Sequence, residues 1–358
     1  MKLTIEQPAL VSALKSAKDA APSKTTLPSL KCVLIDALDA LTFTATNMDQ
    51  QVTIRGDATI TEQGSSLVPI DPAFTAVSRM PKGALITVET DEGGITFKSG
   101  RTNVRIATGE PENFPHIASD VYDVSFSVES HVARLMFDKV QFAMANEETR
   151  YQLNGVYLHS VDGDIVTVAT DGHRLAKWKF KHVGDTPPGV IVPRDTIRLI
   201  TPPDGSTVLI SVSDTKIKFE ADGWSLVSKV VDATYPDYTR IIPEASGNSA
   251  MFSAKDMSQS IAVTEAVQEA KGNGVLMAIS EAGIEVSAKT QTGAVVGVVE
   301  ADVSGPEQNI GINSKYLNGL MSELDGDCVM DYRKPTDPVV FRDSGDPDWI
   351  CVVMPMRV

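Results

Sequence analysis

Cysteine is scarce in this chain of 358 residues. Cys32, Cys328 and Cys351 are scattered and form no CxxC pair, which argues against a disulfide framework or a zinc site and for buried thiols in a reducing cytosol. No apolar run approaches the roughly 20 residues of a membrane span, and no secretory leader is recognisable, so a cytoplasmic protein away from membranes is expected. There is no GxxxxGK[ST] phosphate loop and no GxSxG nucleophile elbow. Positive charge is in deficit: 32 Lys and Arg stand against 47 Asp and Glu, a net charge of −15. Such a balance favours solubility and opposes a uniformly phosphate-binding surface, but it says nothing about how the charges are distributed.

What is present is a repeat. Phe114-Pro115, Tyr235-Pro236 and Met354-Pro355 close three stretches of similar layout, with prolines 121 and 119 residues apart. VPID, VPRD and GINS keep the same beat, with Asp71, Asp195 and Asn313 spaced by 124 and 118 residues. Solenoid units run about 20–50 residues, so this is one domain used three times. The expected boundaries are 1–119, 120–245 and 246–358.

Each repeat opens on period-2 alternation, the mark of a half-buried strand: Met1, Leu3, Ile5; then Val124, Phe126, Val128; then Ala250, Phe252, Ala254. An amphipathic helix follows, with apolar faces Leu10, Leu14, Ala17; Val132, Leu135, Met136, Val140, Ala143; and Met257, Ile261, Thr264. Hairpins come next, then a second helix that Asp71, Asp195 or Asn313 is expected to cap, then two or three more strands. The predicted class is α+β, with antiparallel sheets and two helices per repeat on one face.

Suppose such repeats join edge to edge with their helices inward. Six helices of about 10 Å diameter would enclose a hole of only about 9 Å, whereas twelve, from a two-fold dimer, would leave roughly 28 Å, enough for a DNA duplex. Basic residues lie on or beside the predicted helices: Lys15, Lys18, Arg79, Lys82, Arg134, Lys139, Arg194, Arg198, Lys255, Lys271 and Lys315. Asp138, Glu265 and Glu269 accompany them, so the helices are about charge-balanced and the acidic excess lies elsewhere. The same side chains would also serve as ordinary solvated helix faces.

An enzyme could be sought in Asp171 and His173, but they stand too close in sequence to act as two triad partners, and no nucleophile motif accompanies them. Asp162 with Asp164, or Asp325 with Asp327, could suggest a metal, yet both pairs sit in Asp-Gly-Asp hairpin turns. No catalytic residue, metal or cofactor is assigned.

Four segments in order, RYQLNGVYL (150–158), VATDGHRLA (168–176), DATYPDYTRIIP (232–243) and VVMPMRV (352–358), closely resemble the bacterial DNA polymerase III beta subunit family, the sliding clamps. NSKYLNGLMSEL (313–324) and KTTLPSLKCVLI (24–35) resemble it too. The likeness spans the whole chain and implies a head-to-tail homodimeric ring around duplex DNA, bound without regard to sequence. Such a ring is a processivity factor without catalysis, tethering the replicative DNA polymerase, the clamp loader and repair polymerases through short peptide motifs. A scaffold that binds peptides without encircling DNA is the alternative.

Carried over by motif, the resemblance puts the peptide pocket between the second and third repeats. Arg150, Leu153, Thr170, Gly172, His173, Arg174 and Leu175 would form one part. Pro236, Arg240 and Ile241 would add a wall, and Val353, Met354, Pro355, Met356 and Arg357 would close it. Flexible methionines suit varied apolar anchors, and arginines suit a peptide's acidic or carbonyl groups. DNA contacts are expected from Lys24, Arg79, Tyr151, Gln152, Arg194 and Arg198, to phosphates rather than base edges. The dimer contact is expected from the helix near Ile261–Val267, made more polar at its end by Gln268 and Glu269.

Overall fold

The computed structural model describes residues 1–118, 121–264, 273–291 and 293–358. Glu265, Val267, Gln268, Glu269 and Lys271, and the expected boundary between Ser119 and Asp120, lie outside the described residues. The chain divides into two compact units, Met1–Arg134 with Asp195–Val230, and Leu135–Arg194 with Val231–Val358.

The first unit holds two antiparallel sheets. One has the spatial order Ala58–Glu62, Lys2–Glu6, Leu85–Asp91, Gly94–Ser99, Thr102–Ile106. The other runs Val124–Glu129, Thr207–Val212, Lys216–Ala221, Trp224–Lys229, Gln50–Gly56, Leu41–Thr46, Cys32–Ala37, Gly64–Pro69. That second sheet is shared by two repeats. They meet where Ile54 stands opposite Trp224 and Gln50 opposite Ser228. Buried Gln50 donates to Thr196 Oγ1 at 3.3 Å, and Thr196 shares a 2.6 Å hydrogen bond with Ser228, so these three side chains pair with one another across the joint.

The second unit repeats the design. Its nine-stranded sheet runs Val190–Pro193, Gly155–Val161, Asp164–Thr170, Arg174–Phe180, Trp349–Val353, Val339–Asp343, Asp327–Asp331, Ser249–Ser253, Ala301–Ser304. Here the second and third repeats meet, with Trp178 opposite Trp349 and Leu175 opposite Val352. A four-stranded sheet runs Gly293–Val299, Gly283–Thr290, Gly274–Ser280, Gln308–Asn313.

The helices follow the apolar pattern with local shifts. Gln7–Ala20 buries Leu10, Leu14 and Ala17, and Ala254–Thr264 buries Met257, Ile261 and Thr264. In Ser130–Gln141 the buried stripe is Ala133, Met136, Phe137 and Val140, spaced i, i+3, i+4, i+7, while Val132 and Leu135 are only half-buried. Each large aliphatic or aromatic side chain so buried contributes about 1.5–3 kcal/mol.

The expected caps divide. Asn313 accepts from the Lys315 amide at 3.0 Å and is a true N-cap. Asp71 is not: the helix Ile70–Ser78 already includes it, and it sits in the first turn, 2.7 Å from Lys18, where its charge complements the helix dipole. Asp195 likewise lies inside its helix, which is one turn long, Arg194–Ile197. The chain reaches Pro202-Pro203 soon afterwards, and proline cannot continue a helix. Asp162 and Gly163 have φ of 52° and 88°, as a two-residue primed hairpin turn requires, which accounts for the Asp-Gly-Asp sequence there.

All three cysteines are free, and burial pushes each thiol pKa up, so they act as apolar packing groups. Among the described residues no helix is long and apolar enough to cross a membrane.

Candidate partner-binding cleft and basic surface

A cavity of about 280 Å³ opens in the second unit. Its walls are Thr170, Gly172, His173, Arg174 and Leu175 from one hairpin, Arg240 and Ile241 from the connection to the third repeat, and Pro338, Val352 and Met354 from the last hairpin. The hairpin turn is built by Asp171. Its Oδ1 accepts from the amides of His173 and Arg174, both at 2.9 Å, and its Oδ2 accepts from Arg174 Nε at 3.1 Å. Gly172 takes φ +87°, which a side chain would strain. Thr170 Oγ1 donates to the Arg174 carbonyl at 2.7 Å and accepts from the Gly172 amide at 3.1 Å.

Arg174 is thereby fixed from both sides. Its guanidinium lies 4.7 Å from the Tyr316 ring centroid and 5.4 Å from that of Phe142, while His173 stacks on Tyr316 at 6.1 Å. A planar cation held by a carboxylate and two rings keeps only part of its donor fork free, a suitable anchor for a carbonyl or carboxylate. With Asp171 used by the turn and His173 by stacking, the pair has no triad geometry.

Below the walls lies an apolar floor. Leu153, Val168, Leu175, Tyr235, Tyr238, Val340 and Val352 form one buried cluster. Tyr157 stacks on Tyr235 with centroids 4.8 Å apart and planes 5° from parallel, and also stacks on His159 at 4.5 Å. His159 Nε2 meets the Tyr238 hydroxyl at 3.0 Å. This ladder fastens the segment bearing Arg240 and Ile241 to the sheet. Burial raises both tyrosine pKa values, that of Tyr238 to about 12, and lowers that of His159, so all three stay neutral near pH 7.

Of the residues expected at the pocket, Thr170, Gly172, His173, Arg174, Leu175, Arg240, Ile241 and Met354 line the cavity. Arg150 stands at its rim, donating from Nη1 to the Asp171 carbonyl at 3.1 Å. Leu153 is floor. Pro236 is exposed and does not line the cavity. Val353 is fully buried, and its neighbour Val352 lines the wall instead, because alternate strand residues face opposite sides. Pro355, Met356 and Arg357 lie beyond the wall. Pro338, Val352, Tyr316 and Phe142 were missed. Val352 was recoverable from strand alternation; the others come from distant segments that only the fold brings near.

The expected DNA residues differ in how free they are. Lys24 and Arg198 are exposed and share one cleft with Asp19, Asn47 and Asp195, and Arg198 lies 3.6 Å from Asp195. Arg79 is exposed, Tyr151 is 58% exposed, and Gln152 is half-buried. Arg194 is largely used by the fold: its Nε donates to Asn154 Oδ1 at 2.8 Å and its Nη2 to the Ala145 carbonyl at 2.7 Å. Lys139 is also enclosed, 16% exposed between Asp343 at 3.5 Å and Asp346 at 3.7 Å. Arg134 pairs with Asp204 at 2.8 Å.

Comparison with known proteins fits this arrangement. Residues 1–118, 127–237 and 239–357 match the N-terminal, central and C-terminal domains of the DNA polymerase III beta subunit. The chain belongs to the DNA polymerase III beta subunit family, the beta sliding clamps. It is 32% identical to the beta sliding clamp of Caulobacter vibrioides, with both chains fully covered. The DnaN sliding clamps of Bartonella birtlesii and Pseudomonas aeruginosa, each bound to griselimycin, superpose with TM-scores of 0.94 at 28% and 26% identity, again over both full chains. The chain is therefore a three-domain processivity clamp and not an enzyme, which sets aside the non-encircling scaffold.

Proposed function

We propose that two copies of this chain close head to tail into a ring around duplex DNA, and that the cleft beside Arg174 tethers polymerases, the clamp loader and repair polymerases by short peptides. The ring reading rests on the free sheet edges. Inside the chain, the Gln50–Gly56 strand pairs with Trp224–Lys229, and Arg174–Phe180 pairs with Trp349–Val353. Their counterparts, Gly293–Val299 and Thr102–Ile106, are edge strands in their sheets. Transferring the internal register puts Val295 of one copy opposite Val104 of the other, and Gly293 opposite Ile106. Beside Thr102 and Val104 lies an apolar groove of about 580 Å³ with Pro72, Ala76 and Met80, suited to the outer face of the helix Ala254–Thr264, where Val263 is exposed while Ile261 faces its own core. An unpaired edge next to an apolar groove favours association.

The peptide reading is carried by one observation: a mainly apolar cleft with a buried apolar floor and the Arg174 guanidinium held in its wall by a carboxylate and two rings. One or two apolar anchors would supply most of the binding energy. Griselimycin, bound by the two relatives above, is expected to bind here. For DNA, Lys24, Arg79, Tyr151 and Arg198 are the contacts favoured by exposure, in a cytoplasmic setting. The deciding experiment loads the chain onto DNA. Retention on nicked circles and loss on linearisation, with a solution mass of two chains, is expected. A monomer at all concentrations, or equal retention on both DNA forms, refutes the ring. Deleting Met354–Val358 should abolish griselimycin binding and leave the dimer intact.

A further inference from the structure

The C-terminal residues do not trail into solvent. The Met354 amide donates to the His173 carbonyl and the Met356 amide to the Gly311 carbonyl, each at 2.8 Å. Two glycines lie under this tail, on neighbouring strands. Gly274 is paired with Asn313 and Gly311 with Leu276, so the two are diagonal neighbours on one sheet face. A Cβ on Gly311 would stand 2.2 Å from the Met356 carbonyl oxygen and 2.9 Å from Val358 Cγ2. One on Gly274 would stand 2.5 Å from Val358 Cγ1. Neither glycine has positive φ, so backbone conformation does not require them. Close approach of another chain segment does.

We propose that Gly274 and Gly311 form a seat for the chain's own C terminus, and that the seated tail positions Met354 as a wall of the peptide cleft. The two glycines are positioning residues: neither lines the cavity, but Met354 does. Met354 is the first residue past its strand and is 38% exposed. With its amide tied to His173 and the chain tied again two residues later, its side chain has a restricted range over the cleft. A methionine held at its backbone but free at its side chain can adjust to different anchors without first being ordered. The glycines are not equal. At Gly311 the obstacle is main chain and the tail must lift, whereas at Gly274 the obstacle is the tip of the terminal Val358, which can turn aside.

The consequence for binding rests on the peptide reading above, so the test has an arm independent of it. Gly311→Ala should speed hydrogen exchange in the segment Val352–Val358 and weaken griselimycin binding by about tenfold, the scale of losing one preorganised wall. Gly274→Ala should do less. The same Gly311→Ala change in a chain ending at Pro355, which has no residue on the seat, should add no further loss. Unchanged exchange in the full chain overturns the seat. So does an equal loss of affinity in full and shortened chains, which would mean the glycine acts through its sheet. If the unaltered chain fails to bind griselimycin, the peptide reading falls while the exchange result still decides the seat.

Discussion

The main-chain amide of Met354 donates to the carbonyl oxygen of His173 at 2.8 Å, which ties the end of the third repeat to a hairpin turn of the second. The contact extends the joint in which Leu175 stands opposite Val352 and Arg174 opposite Val353. The cleft is thus a product of the same strand pairing that joins the repeats. The homologous joint in the first unit, where Ile54 faces Trp224, makes the same tie, the Lys229 amide donating to the Asp49 carbonyl at 2.9 Å, and adds polar contacts among Gln50, Thr196 and Ser228.

Arg174 should be the most sensitive cleft residue. Arg174→Ala removes a guanidinium that is 14% exposed and leaves Asp171, equally enclosed, without its partner. Removing one member of such a pair costs on the order of 3 kcal/mol in stability. Griselimycin binding should fall by at least about tenfold. Arg174→Lys should not restore it, because an ammonium keeps the charge but has no planar face to lie against the Tyr316 and Phe142 rings and no Nε–H to donate to Asp171 Oδ2. Thermal denaturation and calorimetric titration of both variants check this, and full activity of the lysine form would contradict the stacking argument.

Much of this was legible in the sequence for a physical reason. Alternation at Leu3 and Ile5, helical spacing at Leu10, Leu14 and Ala17, and the cap at Asn313 are local signals that burial and hydrogen bonding obey. Ordered motifs located most of the cleft because it draws on one continuous hairpin, Thr170–Leu175. What was not legible is non-local. Nothing near Lys139 announces that Asp343 and Asp346 enclose it, and nothing near Arg194 announces Ala145. Likewise Tyr316 reaches Arg174 only through the fold. The expectation for Val353 failed by one residue, the step that reverses a strand's two faces.

The edge-strand reading makes a dimer prediction. Val104 is half-buried on the edge strand Thr102–Ile106 and lines the groove with Met80. Val104→Asp puts a charge into the proposed contact, and the solution mass should drop from two chains to one. The fold itself should lose little, about 0.5–1 kcal/mol, since the position is only half-buried. Val161→Asp, at a valine that is 42% exposed beside a hairpin turn, should leave the mass unchanged. Light scattering on both variants decides it, and a Val104→Asp protein that remains dimeric would rule out this edge.

Stability should soften on mild acidification through His159. Burial holds its pKa below the ordinary 6.5, against a weaker opposing effect from the Ser160 carbonyl; Lys177 lowers it further. A histidine with a depressed folded pKa stabilises fully above 6.5, and that contribution is lost as pH falls from there through the folded value. Protonation would also remove the acceptor at Nε2 that the Tyr238 hydroxyl meets. The melting temperature should therefore decline as pH falls below the ordinary 6.5, and less steeply in His159→Phe. Identical slopes for the two proteins would show that another group governs the decline.

Lys24 and Lys139 are both basic, but only the exposed one should act on DNA. Lys24 lies exposed in a cleft with Arg198, while Lys139 is held between Asp343 and Asp346 and its carbonyl accepts from Trp349 Nε1 at 2.8 Å. Lys24→Ala should weaken binding to duplex DNA uniformly across sequences and reduce the slope of log affinity against log salt by about 1, the value for one lost phosphate contact. Lys139→Met should leave that slope unchanged. Its effect should appear in thermal stability, because Asp343, 9% exposed, loses the cation that compensates it. Titrating DNA binding at several salt concentrations separates the two roles. A Lys139→Met protein with a reduced slope would mean that the acidic loop opens to release this lysine when DNA is bound.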